Sequence, residues 1–279
     1  MGKFSRVVAF SAALPSSMQS YMFDRLFMFD RRFGVSISVD SVPVKSTENN
    51  GYGGSEWFPV RRALRKLKPG PQDVFADLGS GEGIALLIAG RLPFRRVIGI
   101  DIDEEFDRSA RENIARAAGR LRAGEVTSVT ASVLEWPVPD DLSVVYMFNP
   151  FTGKTFRQGL ERIFESYDRA PRELRIIYNF PAEHDWLVST GRVAVESVSG
   201  CWWPARPGWW RRGHVLITYR VVQADAGGQT QPVTGWPGRR SRALRYWSAP
   251  TGFRVTRMQT REGAYYLSTT FEPVPERVR

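Results

Sequence analysis

The chain has 279 residues, 42% of them hydrophobic, a formal net charge of +10 and a pI near 10.1. That length suffices for one α/β domain with a sizeable core plus appendages. Its single cysteine, Cys201, excludes an intrachain disulfide, and no run approaches the roughly 18 apolar residues of a membrane-spanning helix. One cysteine makes a reduced, cytoplasmic setting the default. Five of the 39 basic residues are Lys and 34 are Arg. Such an excess reflects either a GC-rich genome or an anionic partner. Without clustering, the first reading is preferred.

Residues 1–48 form an N-terminal extension. Its apolar run at 7–14 is short, and Pro15-Ser16-Ser17 after it lacks a good cleavage pattern for a signal peptide. Tyr21, Phe23, Phe27, Phe29 and Phe33 are too many aromatics for an exposed face. They imply a segment that packs on the core or lies over a cleft as a lid. The alternation at 35–40 suggests a short strand. Residues 47–55 are loop-like, and Ser55 is placed to cap a helix over 56–67 with Trp57, Val60, Leu64 and Leu67 on one stripe.

The next stretch organises the rest. Val74–Leu78 is a short apolar run after Pro69-Gly70-Pro71, which reads as a buried parallel strand. Asp77 lies at its end. Gly79, Gly81 and Gly83 then alternate through a tight turn before an apolar helix over 83–92. Glycines at such a turn let the backbone approach a ligand closely and aim N–H groups at it. A dinucleotide fingerprint requires a third glycine at position 84, which is Ile, and a phosphate-binding P-loop requires Gly-Lys-Ser/Thr, which is absent. A second apolar strand over 97–101 ends in Asp101, placed about 20 residues after the glycine turn to accept from ribose hydroxyls.

The pair of motifs, Asp77-Leu-Gly-Ser-Gly-Glu-Gly83 followed by Gly99-Ile-Asp-Ile102, resembles the class I S-adenosylmethionine (SAM)-dependent methyltransferases. The resemblance covers about residues 50–222. It implies a Rossmann-like α/β fold, a mostly parallel seven-stranded sheet with helices on both faces. SAM is the implied cofactor and S-adenosylhomocysteine (SAH) its product. It further implies that Asp77, Gly79, Gly81 and Gly83 hold the methionine end, and that Asp101 with Ile102 holds the ribose side. Tyr52 and its neighbouring glycines sit where the family covers the methionine tail.

Beyond this point a helix over 104–118 and strands over 126–131 and 143–148 are expected. A helix over 153–169 and a strand over 174–179 follow. After the third strand the family reads Gly-Asp-Ala and its Asp takes the adenine amino group. Here Ser132 stands in that position, a weaker neutral acceptor, with Val133 beside it. Glu135 is a substitute acceptor, and Trp136 is either a stacking ring or core.

The fourth strand ends in Asn149-Pro150-Phe151. This resembles the Asn-Pro-Pro-Tyr motif of amino-methylating relatives, without the second Pro. Asn149 brings a donor and an acceptor to the strand tip, and Phe151 an apolar wall that attracts a cation. His184, after the fifth strand, has the pKa range of a general base, although a lone His is more often a surface or capping residue. Tyr178 and Asn179 read as pocket lining.

After 191 the pattern changes. Strands over 193–198 and 215–221 suggest an antiparallel hairpin, enclosing a Trp/Arg-rich loop at 201–212. That loop reads as a base-stacking, peptide-gripping or membrane-touching surface, or as a packed hairpin tip. The domain organisation expected is an extension at 1–48, a SAM-binding domain at 49–222, and a linker with a small strand-containing appendage at 223–279. Two His and one Cys give no metal-ligand cluster. The expected function is methyl transfer to an amine nitrogen of a small molecule, peptide or protein. O-methylation, RNA or DNA methylation, and a non-catalytic SAM-fold subunit are the alternatives.

Overall fold

The computed structural model describes Ser55, residues 57–200 and 215–223, and the backbone of 253–259 and 265–271. Tyr52, the aromatic segment at 21–33, the strand expected at 35–40 and the Trp/Arg loop at 201–212 lie outside the described residues.

A seven-stranded sheet runs in the order β3-β2-β1-β4-β5-β7-β6. Its strands are β1 (Val74–Leu78), β2 (Arg96–Asp101), β3 (Glu125–Thr130), β4 (Val144–Phe148), β5 (Arg175–Asn179), β6 (Val193–Gly200) and β7 (Val215–Val221). Strands β1 to β5 pair in parallel, whereas β7 is antiparallel to both β5 and β6. This is a Rossmann-like α/β fold, a mostly parallel seven-stranded sheet with helices on both faces, as expected from the sequence. The boundaries of β1 agree with the sequence pattern; β6 runs two residues further than expected. Every residue of β1 is buried, as a central parallel strand covered on both faces requires.

Side-chain alternation divides the core in two. On one face Phe75, Val97, Tyr146 and Ile177 pack under α1 (Trp57–Leu67), α2 (Ile84–Ala89) and α3 (Glu104–Ala117). The stripe of α1 is buried as its spacing predicts, and Pro59 falls in its first turn, where no backbone donor is lost. On the other face Ala76, Met147, Ile176 and Tyr178 pack under α4 (Gly153–Arg169) and α5 (His184–Ser189). Helix α5 is not marked by the sequence, because six residues are too few to show a period. A separate two-stranded antiparallel sheet joins β8 (Phe253–Gln259) to β9 (Tyr265–Phe271).

The chain lays β1, β2 and β3 outward in one direction, then returns to place β4 on the other side of β1. The crevice beyond the carboxyl ends of β1 and β4 is therefore the switch point at which such sheets hold ligands.

Candidate functional site

The turn after β1 is held from several sides. The amides of Gly79 and Ser80 donate to the Ile100 carbonyl at 2.8 and 3.0 Å. The Gly81 amide donates to Asp101 Oδ2 at 2.7 Å, and Asp103 N donates to Asp101 Oδ1 at 2.9 Å. Asp101 thus ties the tip of β2 to the middle of the glycine turn. Gly79 has φ +76 and Gly81 φ +50, a region costly for residues with a Cβ. At Gly79 a Cβ would also stand 2.3 Å from Pro150 Cβ. Pro150 therefore rests directly on the turn, joining the end of β4 to the end of β1.

Asp77 is 2% exposed on the α1 side of the sheet, paired in register with Gly99 and Tyr146. Burial, and secondarily the Asp101 charge, push its carboxyl well above the usual carboxylate range. Burial also raises Asp101, against the pull of the Gly81 and Asp103 amides. Among the described residues neither carboxylate has a cationic partner. Asp77 is buried and Asp101 half-buried, and an acid in such a place without a described counter-charge is costly to keep ionised. Beside them Ile102 is 65% exposed, a large apolar side chain presented at the tip of β2.

After β3, Ser132 opens a turn. Its Oγ accepts from Leu134 N at 3.2 Å, and its carbonyl accepts from Glu135 N and Trp136 N. Val133 is buried over Gly159, where a Cβ would meet its Cγ2 at 3.2 Å. Glu135 is exposed, and Trp136 belongs to the core under α4. The stacking alternative for Trp136 gives way to packing, because the turn folds it inward.

Asn149 follows β4 with φ +43 and is 5% exposed. Its Oδ1 accepts from Tyr178 Oη at 3.1 Å. Phe151 is 6% exposed and packs on Phe156 at a ring separation of 6.3 Å, so most of its ring is spent in the core. His184 begins α5, with Nδ1 2.6 Å from Tyr219 Oη. Burial lowers its pKa, which favours the neutral ring. No hydrogen bond among the described residues links it to Asn149.

The structure thus brings Asp77, Gly79, Gly81, Asp101 and the 149–150 corner together, and leaves His184 on a separate contact. Two sets of residues emerge that the sequence did not single out for these roles. Tyr146 Oη donates to Ser55 Oγ at 3.0 Å and accepts from Asn179 Nδ2 at 3.3 Å, fastening the start of α1 to the strand tips. Glu183 accepts from Gly153 N and donates its own amide to Tyr178. A hydroxyl-bearing aromatic next to last in a buried strand was the available signal for Tyr178. A cavity of about 320 Å³ lies elsewhere, along the later turns of α4, lined by Phe164, Trp186 and Arg192 among others. Among the described residues no group of His, Cys, Asp and Glu could hold a metal ion, and no helix is long and apolar enough to cross a membrane.

No protein-family model and no curated protein matches this chain. Solved structures similar to it include an RNA methyltransferase from Salinibacter ruber in complex with S-adenosyl-L-homocysteine, at 18% identity over 65% of this chain and 100% of that one, TM-score 0.44. A putative tRNA (m1A22) methyltransferase from Streptococcus pneumoniae is 15% identical over 62% of this chain and 72% of its own, TM-score 0.45. A precorrin 8W decarboxylase from Methanobacterium thermoautotrophicum is 20% identical over 61% and 93%, TM-score 0.45.

Proposed function

We propose that this chain is a SAM-dependent methyltransferase whose acceptor atom is an amine nitrogen. The observation that carries the reading is the pair of buried Asp77 and half-buried Asp101, uncompensated by any described cation, beside the glycine turn. SAM brings an ammonium group, two ribose hydroxyls and a methyl carried on a sulfonium. Asp77 meets the ammonium. Asp101 has given one bond per oxygen to the backbone and keeps lone pairs for the ribose hydroxyls. Ile102 offers an apolar face to the purine, and the Ser132–Val133 turn closes its edge. The turn at Gly79, Gly81 and Gly83 allows the methionine end to lie against backbone.

Asn149 faces the acceptor, holding an amine N–H so that the nitrogen lone pair points along the line of transfer. Phe151 supplies an apolar edge. Orientation in a dry crevice carries most of the acceleration. We assign no step to His184, whose ring is turned to Tyr219. One cysteine and the lack of a described membrane-crossing helix fit a cytoplasmic enzyme.

Calorimetric titration with SAH tests the cofactor assignment. As pH falls through the raised pKa of Asp77, affinity should weaken, because protonation removes the charge that holds the ammonium. Without ligand the sign reverses. A carboxyl whose pKa is higher folded than unfolded penalises the folded state above that pKa, and acid relieves the penalty. The unliganded protein should therefore gain this contribution over the pH range where SAH affinity drops. Asp77→Asn should flatten both curves. Absence of SAH binding would end the assignment, and a pH-indifferent affinity would remove Asp77 from it.

A second acceptor class, nucleic acid, is favoured by Lys154 and Arg157. Both are exposed in the first turns of α4, a few residues past Asn149. If RNA is the acceptor, its binding weakens steeply with salt and the slope lessens in Lys154→Gln. A small amine shows no such slope.

A further inference from the structure

We infer that Tyr178 is a positioning residue for methyl transfer, fixing the orientation of the Asn149 side-chain amide from below the crevice. This rests on the methyl-transfer reading of Asn149 given above.

Three bonds make the case. The Glu183 amide donates to Tyr178 Oη at 3.4 Å. Tyr178 Oη in turn donates to Asn149 Oδ1 at 3.1 Å. Glu183 Oε1 accepts from Gly153 N at 2.9 Å, across the loop that contains Asn149. The clamp grips residues 149–153 at both ends. The bond order also sets the amide's direction. An N–H already points at the phenol oxygen, so the phenol proton is directed at Asn149 and meets an acceptor, which must be Oδ1. Burial pushes the Tyr178 phenol far above its ordinary pKa, so that proton is retained at all working pH.

Backbone strain gives an independent sign. Asn149 and Phe180 both have left-handed φ, +43 and +56, on adjacent strand tips. Each such residue is strained and persists where surrounding contacts over-determine it. Asn adopts this region more readily than most, Phe does not. At Asn149 the clamp supplies such contacts, through Tyr178 on its side chain and Glu183 at the far end of its loop.

Tyr178→Phe keeps the ring, which stacks on Phe156 at 5.3 Å, and deletes only the hydroxyl. Methyl incorporation from labelled SAM into a cell extract should fall roughly ten- to a hundredfold, the cost of a misplaced reacting group. SAH affinity should hold within about twofold, since no contact to that ligand is removed. Glu183→Gln, which keeps an oxygen for Gly153 N, should lose less activity than Glu183→Ala. A reading that needs no acceptor is the ¹⁵N side-chain amide resonance of Asn149, identified by its loss in Asn149→Ala. Tyr178→Phe should move it. An unmoved resonance, an unchanged rate, or a parallel loss of SAH binding and thermal stability would overturn the positioning role. If the wild-type chain fails to bind SAH, the cofactor reading falls instead, and the Asn149 resonance still reports on the clamp.

Discussion

Gly79→Ala is expected to lower the melting temperature by about 5–15 °C, from a cost of about 2–5 kcal/mol. Two terms add. A Cβ at φ +76 costs about 1–2 kcal/mol in backbone strain. Its contact with Pro150 Cβ, 2.3 Å in the present geometry, forces a shift worth about 1–3 kcal/mol. The neighbour that must yield is a proline ring beside Asn149, so it cannot swing away as a long side chain would. The cofactor turn and the acceptor loop should therefore fail together: SAH affinity and methyl transfer both drop. Gly119→Ala is the control. Nothing lies within 4 Å of the added methyl and its φ is not left-handed, so the melt should shift by less than about 0.5 kcal/mol or rise slightly. Equal melts for the two variants would show that Pro150 does not press on the turn.

The sheet was legible because its signals are local. Four-to-six-residue apolar runs bounded by Gly and Pro mark buried strands, and acids at strand ends mark the crevice. Asp77, Asp101 and the glycines were singled out by position along the chain alone, and the fold places them at neighbouring strand ends. What the chain hides is which way a side chain faces once strands are in register. Trp136 looks equally suited to stacking and to a core, Phe151 reads as a pocket wall, and the turn at Ser132 and the packing of α4 turn both inward. Phe151 sits largely in the core. Asn149 was visible as a polar residue at a strand tip. Its partner Tyr178 lies 29 positions away on β5, and their meeting depends on the pairing of Phe148 with Asn179. His184 drew notice as one of only two histidines, a signal of rarity that carries no geometry. Its contact with Tyr219 required β7 to pair antiparallel beside β5.

Asp101→Ala should weaken SAH binding by roughly a hundredfold, about 3 kcal/mol, the least expected when two charge-assisted hydrogen bonds to hydroxyls are lost together. The folded chain should survive. Removing Asp101 frees the amide of buried Gly81 and that of half-buried Asp103, a cost offset in part because a charge that repels Asp77 goes with it. The informative variant is Asp101→Asn. It is nearly isosteric, yet both carboxylate oxygens now accept backbone N–H groups. An amide nitrogen in either place sets donor against donor, at Gly81 or at Asp103. Asp101→Asn should therefore lose nearly as much affinity as Asp101→Ala, while Asp77→Asn, with no described backbone donor to offend, loses mainly the ammonium contact and its pH dependence. If Asp101→Asn binds SAH within about threefold of wild type, the range of an ordinary surface change, then the carboxylate is a brace for the glycine turn and the ribose is held by something else.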